Sequence, residues 1–557
     1  MRSRRTLLSL AAFLLGLTLL ATAACGGSDD EGGGGTTTTT ETKRGGTARF
    51  NLKSDTDYTD PALAYYQVSW QQEYATCLKL LNYPDAPAPK GSQLTPEAAA
   101  SLPKVSDDGK TYTFTVRSGF KFSPPSNQEV TAETFKFVIE RVLNAKMQSP
   151  GASFITDIAG AQEFLDGKAK SVSGLSVSGD QLTIKLTKVA PDLVSRIAMP
   201  FFCAIPTDTP IDPKGVEEPS MAGPYYIKKR IAKRTLVLER NPNYAGDRVA
   251  NLDRIVYTVG VNENAGLLQI KQGDADYAAD AIPPTAHCEL DQLYGKDSQA
   301  AKDGKQQYFV HPALIFSYLG LNTQREAFKD PKVRQAVSYA IDRPGISKQS
   351  GCFAGTLTDQ HLPPGVQGFE DADIYPLDGP DLEKAKQLMG GKKVKAVMYT
   401  CNAGSCPKRA QIVQQNLQAI GIDVEIRQFE RAVQFEKEGI KGEPVDIADE
   451  GWIADYPDPY DFLNKLLSGD SIQAKNNTNF SYFDVDAVDA KLEEAARLSG
   501  DERFTRYAEL DAEIARDYAP LANYQNDNNR DFFSARIGCQ VYQPIYGMDI
   551  NTLCVRE

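Results

Sequence analysis

Histidine is nearly absent from this chain: His287, His311 and His361 are the only three in 557 residues. That leaves too few imidazoles for a histidine-rich metal centre, and no metal is expected. The chain contains no Gly-x-Ser-x-Gly, no His-Glu-x-x-His and no Gly-x-x-x-x-Gly-Lys-Ser/Thr. The nucleophile elbow, the zinc-protease helix and the phosphate loop are therefore missing, and no cofactor is expected. Any ATP chemistry would sit in a partner. Counting alone does not dispose of carboxylate catalysis, since 73 acidic residues make chance pairs everywhere. Base in excess is lacking too. The net charge is -12 and the pI about 5.1, which argues against nucleic acid or anionic lipid as the main partner. Beyond residue 24 no apolar run is long enough to cross a bilayer. Neither an internal repeat nor a heptad pattern is present.

What is there begins with a leader. Arg2, Arg4 and Arg5 precede an apolar stretch over residues 6–20, and Ala21-Thr22-Ala23-Ala24-Cys25 follows. This predicts a signal peptide over residues 1–24. Small residues before Cys25 resemble a lipobox, with Thr22 where leucine is preferred; Cys25 would then carry the lipid. The alternative is a secreted chain with an ordinary cysteine. The segment Ser3-Arg4-Arg5-Thr6-Leu7-Leu8 is compatible with Sec and with twin-arginine export. Residues 26–42 hold no apolar side chain, so residues 25–44 read as a flexible tether. Loss of the three leader arginines takes the net charge from -12 to -15.

Eight further cysteines suit disulfides in an exported chain. Cys401 and Cys406 could close a small loop, and Cys539 and Cys554 a C-terminal one. Cys77, Cys203, Cys288 and Cys352 remain; Cys77–Cys203 with Cys288–Cys352 is one pairing among those left open. Zinc at Cys401 and Cys406 has no nearby histidine or second knuckle to support it.

Length implies two or three domains. Period-two strands are expected over residues 46–52, 110–117, 180–186, 235–239, 254–259, 318–322, 393–399, 422–429 and 445–448. Helices are expected over 131–144, with Thr131 as N-cap and Thr134 at the capping-box position, and over 265–272, 331–342, 407–420, 486–498 and 501–517. The interleaving makes the class α/β.

Several segments, in order, resemble the family 5 extracellular solute-binding proteins, which include dipeptide- and oligopeptide-binding proteins. They are residues 102–122 (LPKVSDDGKTYTFTVRSGFKF) with Thr131-Ala132-Glu133, then Gly223-Pro224-Tyr225 with Leu238-Glu239-Arg240-Asn241-Pro242-Asn243-Tyr244. Gly273-Asp274-Ala275-Asp276-Tyr277 comes next, then Leu319-Gly320-Leu321-Asn322-Thr323 with Asp330-Pro331-Lys332-Val333-Arg334-Gln335-Ala336, and last Trp452-Ile453-Ala454-Asp455-Tyr456-Pro457-Asp458-Pro459. One departure is Ser123-Pro124-Pro125-Ser126-Asn127, where relatives usually carry an Asp-Gly turn. The resemblance implies a two-lobed periplasmic-binding-protein-like fold of the large type II class, with the ligand cleft between the lobes. Lobe I would take residues 45–65, 205–305 and 525–557, an extra subdomain 66–204, and lobe II 306–524. It also implies a monomeric, lipid-anchored subunit of an ABC importer outside the membrane. Such a subunit delivers a peptide or other small solute to a permease driven by cytoplasmic ATPases. An oligosaccharide cargo is the alternative, and a secreted hydrolase the distant one.

The resemblance also implies site residues. Asp455 would pair with a ligand ammonium, or else brace the loop at residues 456–459. Trp452 and Tyr456 would line the pocket. Tyr65, Tyr66 and Gln67 would run beside the bound peptide as extended backbone. In the loop after the 393–399 strand dipeptide-binding relatives carry an arginine. Here that loop begins Thr400-Cys401-Asn402 with no cation until Lys408, and Asn402 is the candidate contact. Asp449 stands where oligopeptide-binding relatives place an arginine. On an extended strand Glu450 shares a face with Trp452, placing a second carboxylate near the cleft, or else both acids are solvated. A ligand longer than a dipeptide, or basic, or lacking a free carboxylate would suit this set.

Overall fold

The computed structural model describes residues 42–280 and 282–556. The expected signal peptide, Cys25 and most of the tether lie outside them. Two sheets build two lobes. The first has the order Tyr277–Ala278, Thr47–Leu52, Arg254–Val259, Thr235–Arg240, Tyr225–Ile231, and Thr47–Leu52 runs parallel to both its neighbours. Alternation in TARFNL sends Ala48, Phe50 and Leu52 into a core with Leu236, Leu238 and Ile255. The Phe50 ring meets Tyr257 and Tyr277 edge-on, both at 5.2 Å between centroids.

The second sheet has the order Gly355–Leu357, Leu521–Phe532, Tyr308–Leu321, Ile447–Ile453, Val394–Cys401, Ile422–Phe429. Helix Cys406–Ala419 makes the crossover between the parallel strands Val394–Cys401 and Ile422–Phe429, burying Ala410, Val413 and Leu417. A four-stranded sheet over residues 104–185 forms a further layer covered by helix Ala132–Leu143. The Thr134 hydroxyl accepts from the Thr131 N–H at 3.0 Å, the expected capping contact.

The strands Tyr308–Leu321 and Leu521–Phe532 pair antiparallel over most of their length. At one end Tyr308 and Phe532 pack on Ile270, Ala278 and Leu290 of the first lobe. At the other, Leu319, Leu321, Ala522 and Tyr524 enter the core of the second. This ribbon runs through both lobes and stands where a hinge between them would lie. The expected short strand at 318–322 is only its end. Pro312, with no N–H to donate, sits at the edge of a register shift and masks the earlier half in the sequence. The strand expected over 445–448 is Ile447–Ile453, continued through two acidic residues. The last expected helix is α-helical over Gly500–Glu513 and closes with a wider turn over Ile514–Tyr518.

Four disulfides are formed: Cys77–Cys203, Cys288–Cys352, Cys401–Cys406 and Cys539–Cys554. Beside the first, Gly223 packs against the chain at Thr76 and Cys77. A Cβ there would lie 2.4 Å from the Thr76 carbonyl carbon and 2.6 Å from the Cys77 oxygen. Backbone cannot yield as a flexible side chain does. Gly223→Ala is expected to cost about 2–3 kcal/mol, read as a lower urea midpoint with unchanged slope.

Candidate functional site

Two chambers open between the facing walls. The first, of about 730 Å³, is lined by Tyr66, Gln67, Gln71, Tyr277 and Asp531 and, from the second lobe, by Ser405 and Arg431. The second, of about 840 Å³, is lined by Tyr65, Phe154, Phe435, Tyr456, Tyr460 and Lys465. Tyr65 and Tyr66 are consecutive, and Arg431 and Phe435 are one turn apart on helix Arg431–Glu438. These two pairs stand between the chambers.

The expected extended run over Tyr65, Tyr66 and Gln67 is not what forms. Gln67 opens helix Gln67–Thr76. Asp57 Oδ2 accepts the N–H groups of Tyr65 at 2.7 Å and Tyr66 at 3.1 Å, and Asp57 Oδ1 accepts the Ser69 hydroxyl at 2.6 Å. Those two main-chain donors are spent within the protein. What the segment offers a ligand is its aromatic side chains: Tyr66 is half exposed, and Tyr65 packs on Trp70 and Phe201.

Asp455 follows strand Ile447–Ile453 and is buried. The Tyr65 hydroxyl donates to its Oδ2 at 2.9 Å. Asp461, in helix Pro459–Leu467, accepts on Oδ2 from the Asp455 N–H at 2.8 Å and from Trp452 Nε1 at 3.2 Å. The bracing role weighed for Asp455 falls to Asp461. Burial pushes the Asp455 carboxyl up to about 6, with Lys465, Tyr65 and Asp461 opposing it. Burial and the Asp455 charge push Asp461 up, while desolvation pushes the half-buried Lys465 ammonium down. No ion-pair partner within bonding distance reaches Asp455 among the described residues. Tyr456 turns the other way, its hydroxyl donating to Asp192 Oδ2 at 3.1 Å while its ring lines the second chamber.

The two acids on the strand are neither solvated nor bare. Arg431 Nη1 donates to Glu450 Oε1 at 2.9 Å, and its other terminal nitrogen takes Oε2. Asp449 Oδ2 accepts from Arg409 Nη2 at 3.2 Å and from the Thr400 hydroxyl at 2.8 Å. Each carboxylate is matched by an arginine supplied from elsewhere, so Glu450 adds no uncompensated charge to the cleft. The half-exposed guanidinium of Arg431 is the group that reaches the first chamber. Asn402 is exposed, and its N–H donates to the Phe429 carbonyl at 2.8 Å. It lies in the loop closed by Cys401–Cys406, whose Gly404 and Ser405 line the first chamber.

Of the expected residues, Tyr65 and Tyr456 line the second chamber and Tyr66 and Gln67 the first. Trp452 and Asp455 are buried behind Tyr65, Glu450 lies behind Arg431, and Asn402 lies in the loop beside Gly404, so these four do not themselves form wall. Sequence reasoning missed Asp461, Lys465, Arg431 and Asp531. Asp461 and Lys465 share a helix face four residues apart after Asp458-Pro459, a start signal that was legible.

The model of the bacterial extracellular solute-binding proteins, family 5 middle, matches residues 93–474. The oligopeptide-binding protein OppA of Bacillus subtilis is 27% identical over 407 residues, covering 69% of this chain and 71% of that protein. Among solved structures, clavulanic acid biosynthesis oligopeptide binding protein 2 superposes with a TM-score of 0.82 at 22% identity, covering 92% of this chain and 96% of that one. DppA of Helicobacter pylori in complex with peptide STSA superposes at 0.76 with 23% identity, over 92% of this chain and 99% of that one.

Proposed function

Because this chain belongs to the bacterial extracellular solute-binding proteins of family 5, we propose that it captures peptides outside the membrane. It hands them to the permease of an ABC importer, whose ATPases supply the energy. In this reading Cys25 carries the lipid, residues 25–44 tether the body, and the chain acts as a monomer on the outer face of the cytoplasmic membrane. Lobe I takes residues 45–65, 205–305 and 525–557, the extra subdomain 66–204 and lobe II 306–524, and the lobes close by rotating about the hinge ribbon.

The observation that carries the reading is Asp455, a buried carboxylate with no cation within bonding distance among the described residues, bonded to a tyrosine that lines the cleft. An ammonium arriving there meets a ready counter-charge. Tyr65, Tyr66 and Tyr456 supply aromatic wall and Gln67 a polar group, with Trp452 buried behind them and Asn402 in the loop that adjoins the first chamber. Oligopeptide- and dipeptide-binding relatives point the same way.

A thermal-shift panel tests it, with peptides of two to six residues, oligosaccharides and nickel set against the purified protein. A ligand at a hundred times its dissociation constant adds about 2.7 kcal/mol, a clear rise in Tm. Peptides alone are expected to give it. A rise with saccharides alone would keep the importer role and overturn the cargo.

A further inference from the structure

Resting on that reading of the cleft, we propose that the floor of the first chamber recognises a cationic side chain of the peptide, lysine or arginine, through the Asp531 carboxylate and the Gln71 amide oxygen.

Three separate stretches of chain meet there: helix Gln67–Thr76, the edge strand Tyr277–Ala278 and the hinge strand Leu521–Phe532. The Tyr277 hydroxyl donates to Asp531 Oδ1 at 2.6 Å. Asp531 Oδ2 has no partner among the described residues. Gln71 Nε2 donates to the Met548 carbonyl at 2.9 Å, which leaves Gln71 Oε1 without one as well. Exchanging the amide's nitrogen and oxygen would set two acceptors against each other at Met548, so the free atom is the oxygen. Asp531 is 8% exposed and Gln71 6%, and both line the chamber. Two idle acceptors in so dry a place are costly, and a donor entering the chamber relieves both.

The charge balance says which donor. Around the chamber, Lys53 pairs with Glu263 at 2.7 Å, Asp55 with Arg230 at 2.7 Å, and Arg431 with Glu450. The Arg530 guanidinium bonds the carbonyls of Ser350 at 2.8 Å and Cys352 at 3.1 Å. Asp280 accepts the N–H groups of Lys53 and Ser54, both at 2.9 Å. His287 has its Nδ1 2.9 Å from the Tyr308 hydroxyl and is neutral, burial holding it near 3. Among the described residues around the chamber, the buried carboxylate left without a cation is Asp531. A neutral donor would fill its lone pair and leave that charge standing; an ammonium or guanidinium answers both needs.

The test is a calorimetric series of one peptide scaffold carrying lysine, arginine, norleucine or glutamate at each position in turn. Wild-type protein is expected to bind the basic member at one position roughly 10- to 100-fold more tightly than norleucine. Asp531→Asn should erase that preference and keep the norleucine affinity within about twofold, since the amide preserves shape. Gln71→Met should reduce the preference in part. No basic preference in the wild type, or one that survives Asp531→Asn, overturns the proposal while leaving the peptide reading intact. If wild-type protein binds no peptide in the series, both fall together.

Discussion

Asp455→Asn is expected to weaken the binding of peptides with a free amino terminus by roughly 100-fold, because it leaves a buried ammonium without its counter-charge. The substitution is nearly isosteric, and an amide oxygen can still accept from the Tyr65 hydroxyl, so the fold should hold. Isothermal titration with one peptide in free and N-acetylated forms isolates the term. The acetylated form should bind wild type and variant alike, and only the free form should lose affinity. Equal losses for both would mean that Asp455 does not meet the peptide's ammonium.

The same carboxylate sets a pH dependence. Without ligand its pKa is pushed up to about 6 by burial. An ammonium favours the ionised form, so the bound value is lower and binding expels a proton at acid pH. Affinity is therefore full above pH 6 and falls below it, about tenfold by pH 5. Stability carries the opposite sign. The folded pKa lies above that of the unfolded chain, so this group's penalty on the fold is present above pH 6 and fades as pH falls toward 4. A ligand that weakens while the unliganded protein holds or gains is the expected pattern between pH 7 and 5.

The second large effect is on stability. Arg141 Nη1 and Nη2 grip Asp60 Oδ1 at 2.8 Å and Oδ2 at 2.6 Å, and both side chains are shut off from solvent. Asp60 also accepts the N–H groups of Ala62 and Val216, both at 3.1 Å, and Arg141 Nε donates to the Pro210 carbonyl at 3.0 Å. Arg141→Leu strands a buried carboxylate and is expected to cost about 3–5 kcal/mol, measured as a fall in the urea midpoint. Adding Asp60→Leu should recover part of the loss, because it removes the stranded charge. Removing the exposed pair Arg497–Glu493 should leave the midpoint in place. The Arg141–Asp60 pair anchors the chain that leads to Tyr65, so its loss should also disturb Tyr65 and with it the Asp455 site.

Legibility in the sequence followed the chemistry of each segment. The alternating runs at 47–52, 235–240 and 254–259 could be read because one face of each enters a core. Helix Gln67–Thr76 could not. It is buried on every side, with Ser69, Gln71, Gln72, Glu73 and Thr76 all inside, so it has no apolar stripe to betray it. The hinge strand Leu521–Phe532 carries Asn523, Gln525, Asn526, Asp527, Asn528 and Asn529, which resembles a loop. Several of its polar side chains bond within the protein: Gln525 Nε2 donates to the Ala354 carbonyl at 3.2 Å, and Asp527 takes the Ser317 hydroxyl at 2.7 Å. Likewise Asp449 and Glu450 read as an acidic surface or an open charge, because the arginines that answer them stand 40 and 19 residues away. Tertiary pairing between distant residues is the part that local pattern does not carry.

The disulfide Cys288–Cys352 adds a consequence for traffic. Cys288 lies in helix His287–Tyr294, packed on the first lobe, and Cys352 follows helix Arg343–Lys348 of the second, alongside the hinge strands. It is a rivet in the spine of a book. Covers joined at the spine can swing but cannot slide past each other, and they part only at the fore-edge. In the proposed function, cargo is then expected to enter and leave by one side, and whatever prises that edge open would set the residence time of what is held inside.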